Sequence, residues 1–381
     1  MSNAQTAADD VVKRVSAAPH LGVSAEDAAI LLAAPTRSLM MEKLLAIHYN
    51  AIRDFANALD KAKLIFERER NAEGAKNIAL LLRQLQRHDE GIAFANQNAE
   101  LFEPITLQDT LCMLHRSNED IAGAVRHGTR ALELKAAANP AGPPIHPRTR
   151  PFDPTRPERN VIVFSLWGQD PRYLTGAVTN AIVARYLYPG WTVRFYVDQS
   201  VPQEVRTRLA AEGAKVLRVH ADWPATQYGL FWRFFVEDDE EVDLYLIRDA
   251  DSVMNIKERA AVEDWLASGK AFHVMRDWPA HSELILAGMW GAHRGNIGNM
   301  VRRIRDHVAS EPKTLNYMAI DQHFLREQIW PIVCQDAMVH DDHFEVPGVT
   351  RFRDEFHLPG RMHIGQNDWV QRAAARSGPS G

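Results

Sequence analysis

The chain is short of the features that mark several classes of protein. Only two of its 381 residues are cysteine, Cys112 and Cys334, and they lie far apart without metal-ligand spacing. A disulfide framework is therefore not expected, and a reducing compartment is compatible with the sequence. Residues 1–10 carry no apolar signal segment, and no run of about 18 apolar residues follows. We therefore expect no membrane span and a cytoplasmic location.

A strong excess of charge of either sign is also missing. Lysine and arginine number 44, aspartate and glutamate number 49, and the formal net charge is -5. Such a balance offers no broad basic surface to a polyanion. We therefore expect no nucleic-acid partner.

Glycine and proline are scarce between about residues 11 and 138. Apolar residues recur there at helical spacing, for example at Leu39, Met40, Leu44 and Ile47. The pattern predicts an all-α domain over residues 1–138.

Two stretches of this helical region resemble each other. Residues 85–99 are echoed by residues 118–131, so that Gly91 matches Gly123 and Ala99 matches Ala131. A period near 32 to 34 with small residues at helix crossings resembles a degenerate tetratricopeptide repeat. The resemblance implies a groove for a peptide or protein partner, and the alternative is a plain helical bundle.

Proline is concentrated in residues 139–159, which hold seven of the chain's 20 prolines. That density excludes a helix or a central strand. The sequence predicts a linker or an extended strap there, and we place the domain boundary in it.

Strands and helices alternate from residue 160 to residue 372. Apolar strand patterns at 161–165, 192–197, 215–219, 244–247, 271–275 and 287–292 are separated by helical patterns. This order predicts an α/β domain with a mostly parallel, doubly wound sheet. Residues 373–381 are expected to be disordered.

The most informative stretch is the end of the fourth predicted strand. Leu244 to Ile247 is apolar, and Asp249 and Asp251 follow it one residue apart. Side chains alternate in extended backbone, so both carboxylates can face the same side. Ligands of open α/β sheets bind at the carboxyl ends of strands, and paired carboxylates suit Mg²⁺ or Mn²⁺ bound to a diphosphate. A capped turn at the strand end is the structural alternative.

This context gives the domain a family resemblance. The Trp232, Arg233 and Phe234 sequence before the strand ending in Asp249 and Asp251 resembles GT-A nucleotide-sugar glycosyltransferases, most closely the glycogenin-like family 8. The resemblance covers about residues 160–369. It implies a metal-dependent transfer from a nucleotide diphosphate sugar, with UDP-sugars favoured.

The resemblance also implies a set of metal ligands. Asp249 and Asp251 match the family's acid pair, and Asp249 is further implied in binding the nucleotide ribose. His363, followed by Gly365 and Trp369, resembles the family's third ligand in its C-terminal motif. A family Lys-Pro pair that helps to hold the diphosphate is absent, so Arg233, Arg248 or Arg276 is expected to take its place.

The first strand leads into a loop that carries aromatic and basic side chains. Gly168 allows close approach of a ligand, Arg172 can meet a phosphate, and Trp167 or Tyr173 can stack on a base. We predict that this loop binds the nucleotide. The alternative is a strand-to-helix turn whose aromatic residues pack inward.

Two later stretches predict contacts with the donor sugar or the acceptor. Asp277, His281 and Glu283 are candidates for a catalytic base or for hydroxyl contacts, although loop charges of this kind are commonly only solvated. Gly288 lies where a sugar can approach the backbone. Trp290 is a candidate sugar platform or a core residue.

Asp321 and Gln322 open a predicted helix, where an acidic residue is a common stabiliser of the helix N-terminus. The same pair resembles residues near the donor sugar in family 8. Both interpretations stay open, and the pair joins the candidate catalytic residues.

The sequence thus predicts a glycosyltransferase that acts on an unidentified carbohydrate, peptide or protein acceptor. An inverting enzyme would need a base, with Asp277 or Glu283 considered first. Two alternatives belong to other classes. One is an interaction scaffold with an inactive GT-A-like domain, and the other is a nucleotidyltransferase on a similar fold.

Overall fold

The structure is a computed structural model that describes residues 3–18, 22–310, 319–360 and 362–367. The chain divides between Leu134 and Lys135 into two compact units. The predicted disordered tail and Trp369 lie outside the described residues. Among the described helices, none combines the length and the apolar character that a membrane crossing requires.

The first unit is helical. Its helices, the last of which ends in the second unit, are α1 (Asn3–Ala17), α2 (Ala25–Leu32), α3 (Leu39–Ala51), α4 (Phe55–Arg68), α5 (Ala72–Gln84), α6 (His88–Gln97), α7 (Pro104–Ser117) and α8 (Ile121–Ala138). Several begin at a polar residue whose side chain accepts a hydrogen bond from the backbone N–H three residues later. These capping residues are Ser24, Ser38, Asp54, Asn71 and Glu103.

Three turns between these helices share one backbone geometry at a fixed sequence interval. Arg53, Gln86 and Glu119 have positive φ values of 62°, 59° and 61° and stand 33 residues apart. The N–H of the residue after each of them donates to the carbonyl five positions earlier, at 2.9 Å in all three turns. This is the Schellman geometry of a helix C-terminus. The pairs α3/α4, α5/α6 and α7/α8 therefore form a 33-residue repeat, within the predicted period, while the tetratricopeptide assignment remains a prediction.

Residues 139–159 lie along the second unit in extended form. The Ile145 N–H donates to Gln335 Oε1 at 3.0 Å, and the Arg150 N–H donates to His293 Nδ1 at 3.0 Å. Of the two predicted alternatives, a linker or an extended strap, the segment is therefore the strap. Proline leaves few backbone N–H donors. Those of Ile145 and Arg150 donate to side chains of the α/β unit.

The second unit alternates strands and helices. Its elements are β1 (Asn160–Leu166), α9 (Pro171–Leu187), β2 (Thr192–Val197), α10 (Gln203–Ala211), β3 (Lys215–Arg218), α11 (Ala225–Tyr228), a 3-10 helix (Gly229–Asp238), β4 (Leu244–Arg248), α12 (Ile256–Ser268), β5 (Phe272–Arg276), β6 (Met289–His293), α13 (Met300–Ser310), α14 (Ile320–Phe324), a π-helical turn (Leu325–Ile329), α15 (Trp330–Val333), β7 (Ala337–Asp341) and a short 3-10 helix (Asp354–Phe356).

The seven strands form one sheet in the order β3-β2-β1-β4-β6-β5-β7. All neighbouring pairs are parallel except those made by β6, which runs antiparallel to β4 and to β5. The predicted α/β class with a mostly parallel sheet is confirmed. From β1 the chain winds outward to β3 and then returns to β4 on the other side of β1, so the topological switch point lies between β1 and β4.

Two elements differ from the sequence-based expectation. The segment before β4, one of the helical patterns between the predicted strands, is a 3-10 helix over most of its length, and its Phe231, Trp232 and Phe234 are all fully buried. These aromatic side chains are buried on several sides of the segment. Their tertiary packing outweighs the segment's preference for an α-helix. Strand β7 was not predicted because His340 and Asp341 interrupt its apolar pattern. Both are fully buried.

Candidate functional site

A cleft of about 630 Å³ opens at the switch point of the sheet. The loop that follows β1 forms one side, and the residues after β4 form another. Six of its lining residues were predicted from the sequence to bind nucleotide or metal: Trp167, Arg172, Tyr173, Arg233, Asp249 and Asp251. The structure therefore brings together side chains from three separate sequence stretches in one cavity of the α/β unit.

The acid pair reaches the cleft because β4 ends at Arg248 and the chain turns there. The turn is held by Asn180 of α9, whose side-chain NH₂ donates to Ser252 O at 2.9 Å and whose Oδ1 accepts from the Met254 N–H at 3.0 Å. A Cβ on Gly176 would stand 2.1 Å from Ala250 O, so only glycine permits this approach of α9.

Each acid of the pair is bound to an arginine. Arg233 Nη1 donates to Asp249 Oδ1, and Arg172 donates through Nε and Nη2 to Asp251 Oδ2. The Asp249 side chain is 44% exposed and that of Asp251 is 11% exposed. Burial raises the pKa of Asp251, the charge of Asp249 adds to the rise, and Arg172 opposes it.

Arg233 connects the acid pair to Asp321 at the start of α14. Its Nη2 donates to Asp321 Oδ2 at 3.0 Å, and both residues are almost fully buried. Burial raises the pKa of Asp321 to about 6, with a further rise from Asp249 and a lowering by Arg233. Gln322, the second predicted residue here, has a buried Oε1 that finds no hydrogen-bond partner among the residues that the structure describes.

Two aromatic side chains line the cleft next to these charges. Trp167 meets Trp232 edge to face at 5.8 Å between ring centroids. Gly229 lets the Trp167 ring pack against the backbone, because a Cβ there would stand 3.1 Å from the ring. Tyr173 lies under the Arg172 guanidinium at 4.9 Å. Flat apolar faces beside cationic groups suit a base linked to phosphates.

The acid pair fits a divalent cation of the Mg²⁺ or Mn²⁺ type. Such ions accept one or two carboxylates and complete their coordination with phosphate oxygens and water. The negative charge of Asp249 raises the pKa of Asp251, because two neighbouring carboxylates repel each other. A cation beside the pair offsets this repulsion, which supports the fit.

The structure does not group His363 with the acid pair, and its role as a third ligand stays a prediction. Its ring stacks on Trp278 at 4.2 Å, and its Nδ1 lies 2.8 Å from Ile364 O. The part of the chain that the structure describes contains no group of three or more His, Cys, Asp or Glu side chains placed to hold an ion.

Asp277 lies behind the cleft wall and not in it. Lys257 Nζ donates to its Oδ1 at 2.6 Å, and the Ile364 N–H donates to its Oδ2 at 2.9 Å. Asp277 is 3% exposed. Since Gly365 and Asn367 line the cleft, Asp277 holds the chain segment that forms one of its walls.

Glu283 and His281 are also engaged by neighbours and are not among the cleft-lining residues. Glu283 Oε1 accepts from the fully buried Lys135 at 2.8 Å and lies 3.8 Å from Arg326. His281 meets the ring of His363 edge-on at 5.2 Å, and burial lowers its pKa to about 3. Both were predicted to act in the loop as a base or as hydroxyl contacts, whereas the structure pairs Glu283 with Lys135 and packs the His281 ring against His363.

Arg248 and Trp290 are core residues. Arg248 Nε donates to Glu258 at 2.6 Å, and its Nη1 donates to Trp290 O at 3.0 Å, so it neutralises a buried acid and not a diphosphate. Trp290 is fully buried and meets Tyr245 edge to face. Gly288 does not line the cleft either, and lies against the Asp249 carboxylate.

Several cleft residues were not predicted. They are polar side chains on separate segments, namely Gln169, Thr226, Gln227 and Asn367. Their residue types are common on surfaces, so no local sequence signal distinguishes them. Asn180 carried a weak signal, because an amide within an apolar helix pattern needs a partner when buried.

Comparisons with known proteins give no family. No protein-family model matches the chain, and no curated protein matches it. The solved structures described next resemble it with TM-scores below 0.4.

Three of these structures illustrate the level of similarity. A mutant O-GlcNAc transferase from Thermobaculum terrenum has 15% identity and a TM-score of 0.38, over 65% of this chain and 47% of that one. A mannosyltransferase from Pyrobaculum calidifontis in complex with GDP-Man and Mn²⁺ has 14% identity and a TM-score of 0.35, over 72% of this chain and 77% of that one. A 4-diphosphocytidyl-2C-methyl-D-erythritol synthase from Anaerococcus prevotii has 10% identity and a TM-score of 0.30, over 57% of this chain and 94% of that one.

Two of the three carry the names of glycosyltransferases. The chain spans about half the length of the first of them, 47%. At these TM-scores the likenesses carry no argument about activity, and the functional proposal depends on the geometry of the cleft.

Proposed function

We propose that this protein is a metal-dependent glycosyltransferase that moves a sugar from a nucleotide diphosphate sugar to an acceptor. One observation carries the proposal. The carboxylates of Asp249 and Asp251 follow β4 into a cleft at the switch point of a mostly parallel sheet. Ligands of open α/β sheets bind at such points.

The cleft has the size and lining that a sugar nucleotide needs. Its volume of about 630 Å³ lies within the range of small-molecule sites, roughly 300 to 1,000 Å³. Trp167 and Tyr173 offer faces for the base. Arg172 lies beside Asp251 in the cleft lining and offers charge-assisted hydrogen bonds to the diphosphate.

Asp249 and Asp251 would hold Mn²⁺ or Mg²⁺, with the remaining ligands from the donor and from water. A bound divalent cation offsets the negative charge that develops on a departing diphosphate. Arg233 keeps Asp249 and Asp321 in a fixed relation by bridging both carboxylates. We assign no general base to Asp277 or Glu283, because lysines occupy their carboxylates.

The donor and partners follow from the sequence predictions. UDP-sugars are the favoured donors by family resemblance, and the acceptor is a carbohydrate, a peptide or a protein. The 33-residue helical repeat is proposed to bind a protein partner or the acceptor. Cys112 and Cys334 are not joined in a disulfide, which agrees with the proposed cytoplasmic location.

The first test is the thermal stability of the full chain with UDP, GDP or CDP, each with Mn²⁺ and with EDTA. All nine tryptophans follow residue 159, so their fluorescence reports the α/β unit alone. We expect at least one nucleoside diphosphate to raise the melting temperature only with Mn²⁺. No metal-dependent shift with any of them would favour the scaffold alternative.

Product analysis separates the two enzymatic alternatives. Incubation with sugar nucleotides should release a nucleoside diphosphate. Release of pyrophosphate from a nucleoside triphosphate and a sugar phosphate would instead identify a nucleotidyltransferase.

A further inference from the structure

The Arg172 side chain is bound to the second acid of the pair. Its Nε donates to Asp251 Oδ2 at 2.7 Å, and its Nη2 donates to the same oxygen. Arg172 is 35% exposed, whereas Asp251 is 11% exposed. A partly exposed cation therefore covers a carboxylate that is itself mostly enclosed.

Arg172 and Arg233 differ in how firmly they are held. Arg233 is 4% exposed and bridges two carboxylates and the carbonyl of Arg248. Arg172 follows Pro171 in the first turn of α9, so its backbone is fixed while its side chain extends over the Tyr173 ring into the cleft. Of the two, Arg172 is the arginine that can exchange partners.

We propose that Arg172 keeps the acid pair closed to a lone divalent cation and opens it only to a cation that arrives with a nucleoside diphosphate. This inference depends on the proposed function. A guanidinium beside Asp251 repels a second positive charge at that carboxylate. A diphosphate brings negative charges and accepts the same fork of N–H donors, so it gives Arg172 a new partner while the cation takes its place beside Asp251.

The consequence is a coupling between two ligands at one site. Metal and nucleotide each bind weakly alone. Each raises the affinity of the protein for the other by the same factor, because the coupling free energy between two ligands is reciprocal. The true ligand of the cleft is then the metal complex of the nucleotide. The free metal ion and the free nucleotide are poor ligands.

The test measures Mn²⁺ binding by electron paramagnetic resonance of the free ion, with the full chain, alone and with UDP or GDP. Arg172→Met should bind Mn²⁺ alone about tenfold more tightly than wild type and lose most of the nucleotide dependence. Arg172→Lys keeps the charge and should bind Mn²⁺ alone as weakly as wild type. Arg185→Met is the matched control, since Arg185 lies on the same helix and pairs with Glu212. It should behave as wild type.

The outcomes separate this inference from the proposed function. If wild type binds Mn²⁺ more tightly with UDP or GDP but Arg172→Met equals wild type with Mn²⁺ alone, the inference is wrong and the function stands. Tight binding by Arg172→Lys would show that charge is not the cause and would also overturn it. If wild type binds no Mn²⁺ with either nucleotide, both proposals fail.

Discussion

A methyl group on Gly288 would stand 2.0 Å from Oδ2 of Asp249. Gly288 immediately precedes β6, which pairs with β4, and its missing side chain leaves room for the acid at the end of β4. Gly288, which was predicted to lie against a sugar, thus makes room for Asp249, the proposed metal ligand.

The substitution Gly288→Ala should therefore damage the site more than the fold. A carboxylate at the end of a flexible side chain can move aside cheaply, so we expect a loss of stability of about 1 kcal/mol or less. Displacement of Asp249 should weaken nucleotide-dependent Mn²⁺ binding by about tenfold, measured by titration calorimetry. Gly142→Ala is the control, because its Cβ would meet Pro331 at an ordinary 3.6 Å. Unchanged Mn²⁺ binding in Gly288→Ala would contradict the placement of Asp249.

The raised pKa of Asp321 gives a pH-dependent contribution to stability. Its ordinary value is 3.8, and burial raises it to about 6 in the folded chain. Between these values the folded state binds more protons than the unfolded state, so the contribution of this group to stability falls as pH rises through the window.

Wild type should therefore lose about 2 kcal/mol of unfolding free energy relative to Asp321→Asn between pH 4.5 and pH 7. Urea unfolding followed by tryptophan fluorescence measures this in the α/β unit. The buried histidines, such as His293 with its pKa lowered to about 4, are common to both proteins and cancel in the comparison. A stability difference that stays constant with pH would show that Asp321 titrates normally.

The contacts of Asp277 distinguish a positioning role from a catalytic one. Asp277→Asn keeps an acceptor for the Ile364 N–H, whereas Asp277→Ala loses it and leaves Lys257 with Asp342 alone. We expect Asp277→Ala to cost about 3 kcal/mol of stability and to weaken nucleotide binding, with a milder effect from Asp277→Asn. The measurements are unfolding free energy and the Kd of UDP or GDP with Mn²⁺.

A catalytic base would give the opposite pattern. Both substitutions of Asp277 would then abolish turnover equally and leave nucleotide affinity unchanged. That result would restore Asp277 to the chemistry.

The repeated turns of the helical unit predict an order of stabilities at Gln86. This residue has a φ of 59°, a conformation that glycine adopts without penalty and β-branched residues avoid. Gln86→Gly should be neutral or stabilising by up to about 1 kcal/mol, and Gln86→Val should destabilise by about 1 to 2 kcal/mol. Amide hydrogen exchange in α5 and α6 gives the local measurement, since this unit contains no tryptophan. Equal protection in Gln86→Val and wild type would contradict the turn geometry.

Local patterns in the sequence were sufficient for most of the fold. The acid pair was predicted because Asp249 and Asp251 follow directly on an apolar strand. The mostly parallel direction of the neighbouring strands follows from the alternation of strands and helices. β7 was not predicted, because the burial of its His340 and Asp341 depends on His273 and Arg276, which lie more than 60 residues earlier.

Dependence on contacts between distant residues also divides the predicted site residues into those that local sequence could identify and those that it could not. Arg172 and Tyr173 could be predicted because they follow a strand end that faces the ligand side of the sheet. Glu283 could not be distinguished from a free acid, because its partner Lys135 is 148 residues away. One sequence shows which residues can ionise but not which distant residue neutralises them.

The most direct measurement of the central claim is release of a nucleoside diphosphate from a sugar nucleotide by the full chain. Wild type, tested across UDP- and GDP-sugars, should release it with Mn²⁺ and not with EDTA. Asp251→Asn should release none at any Mn²⁺ concentration while its tryptophan fluorescence and melting temperature stay close to those of wild type. Release by Asp251→Asn at the wild-type rate, or equal release by wild type with EDTA, would contradict the account.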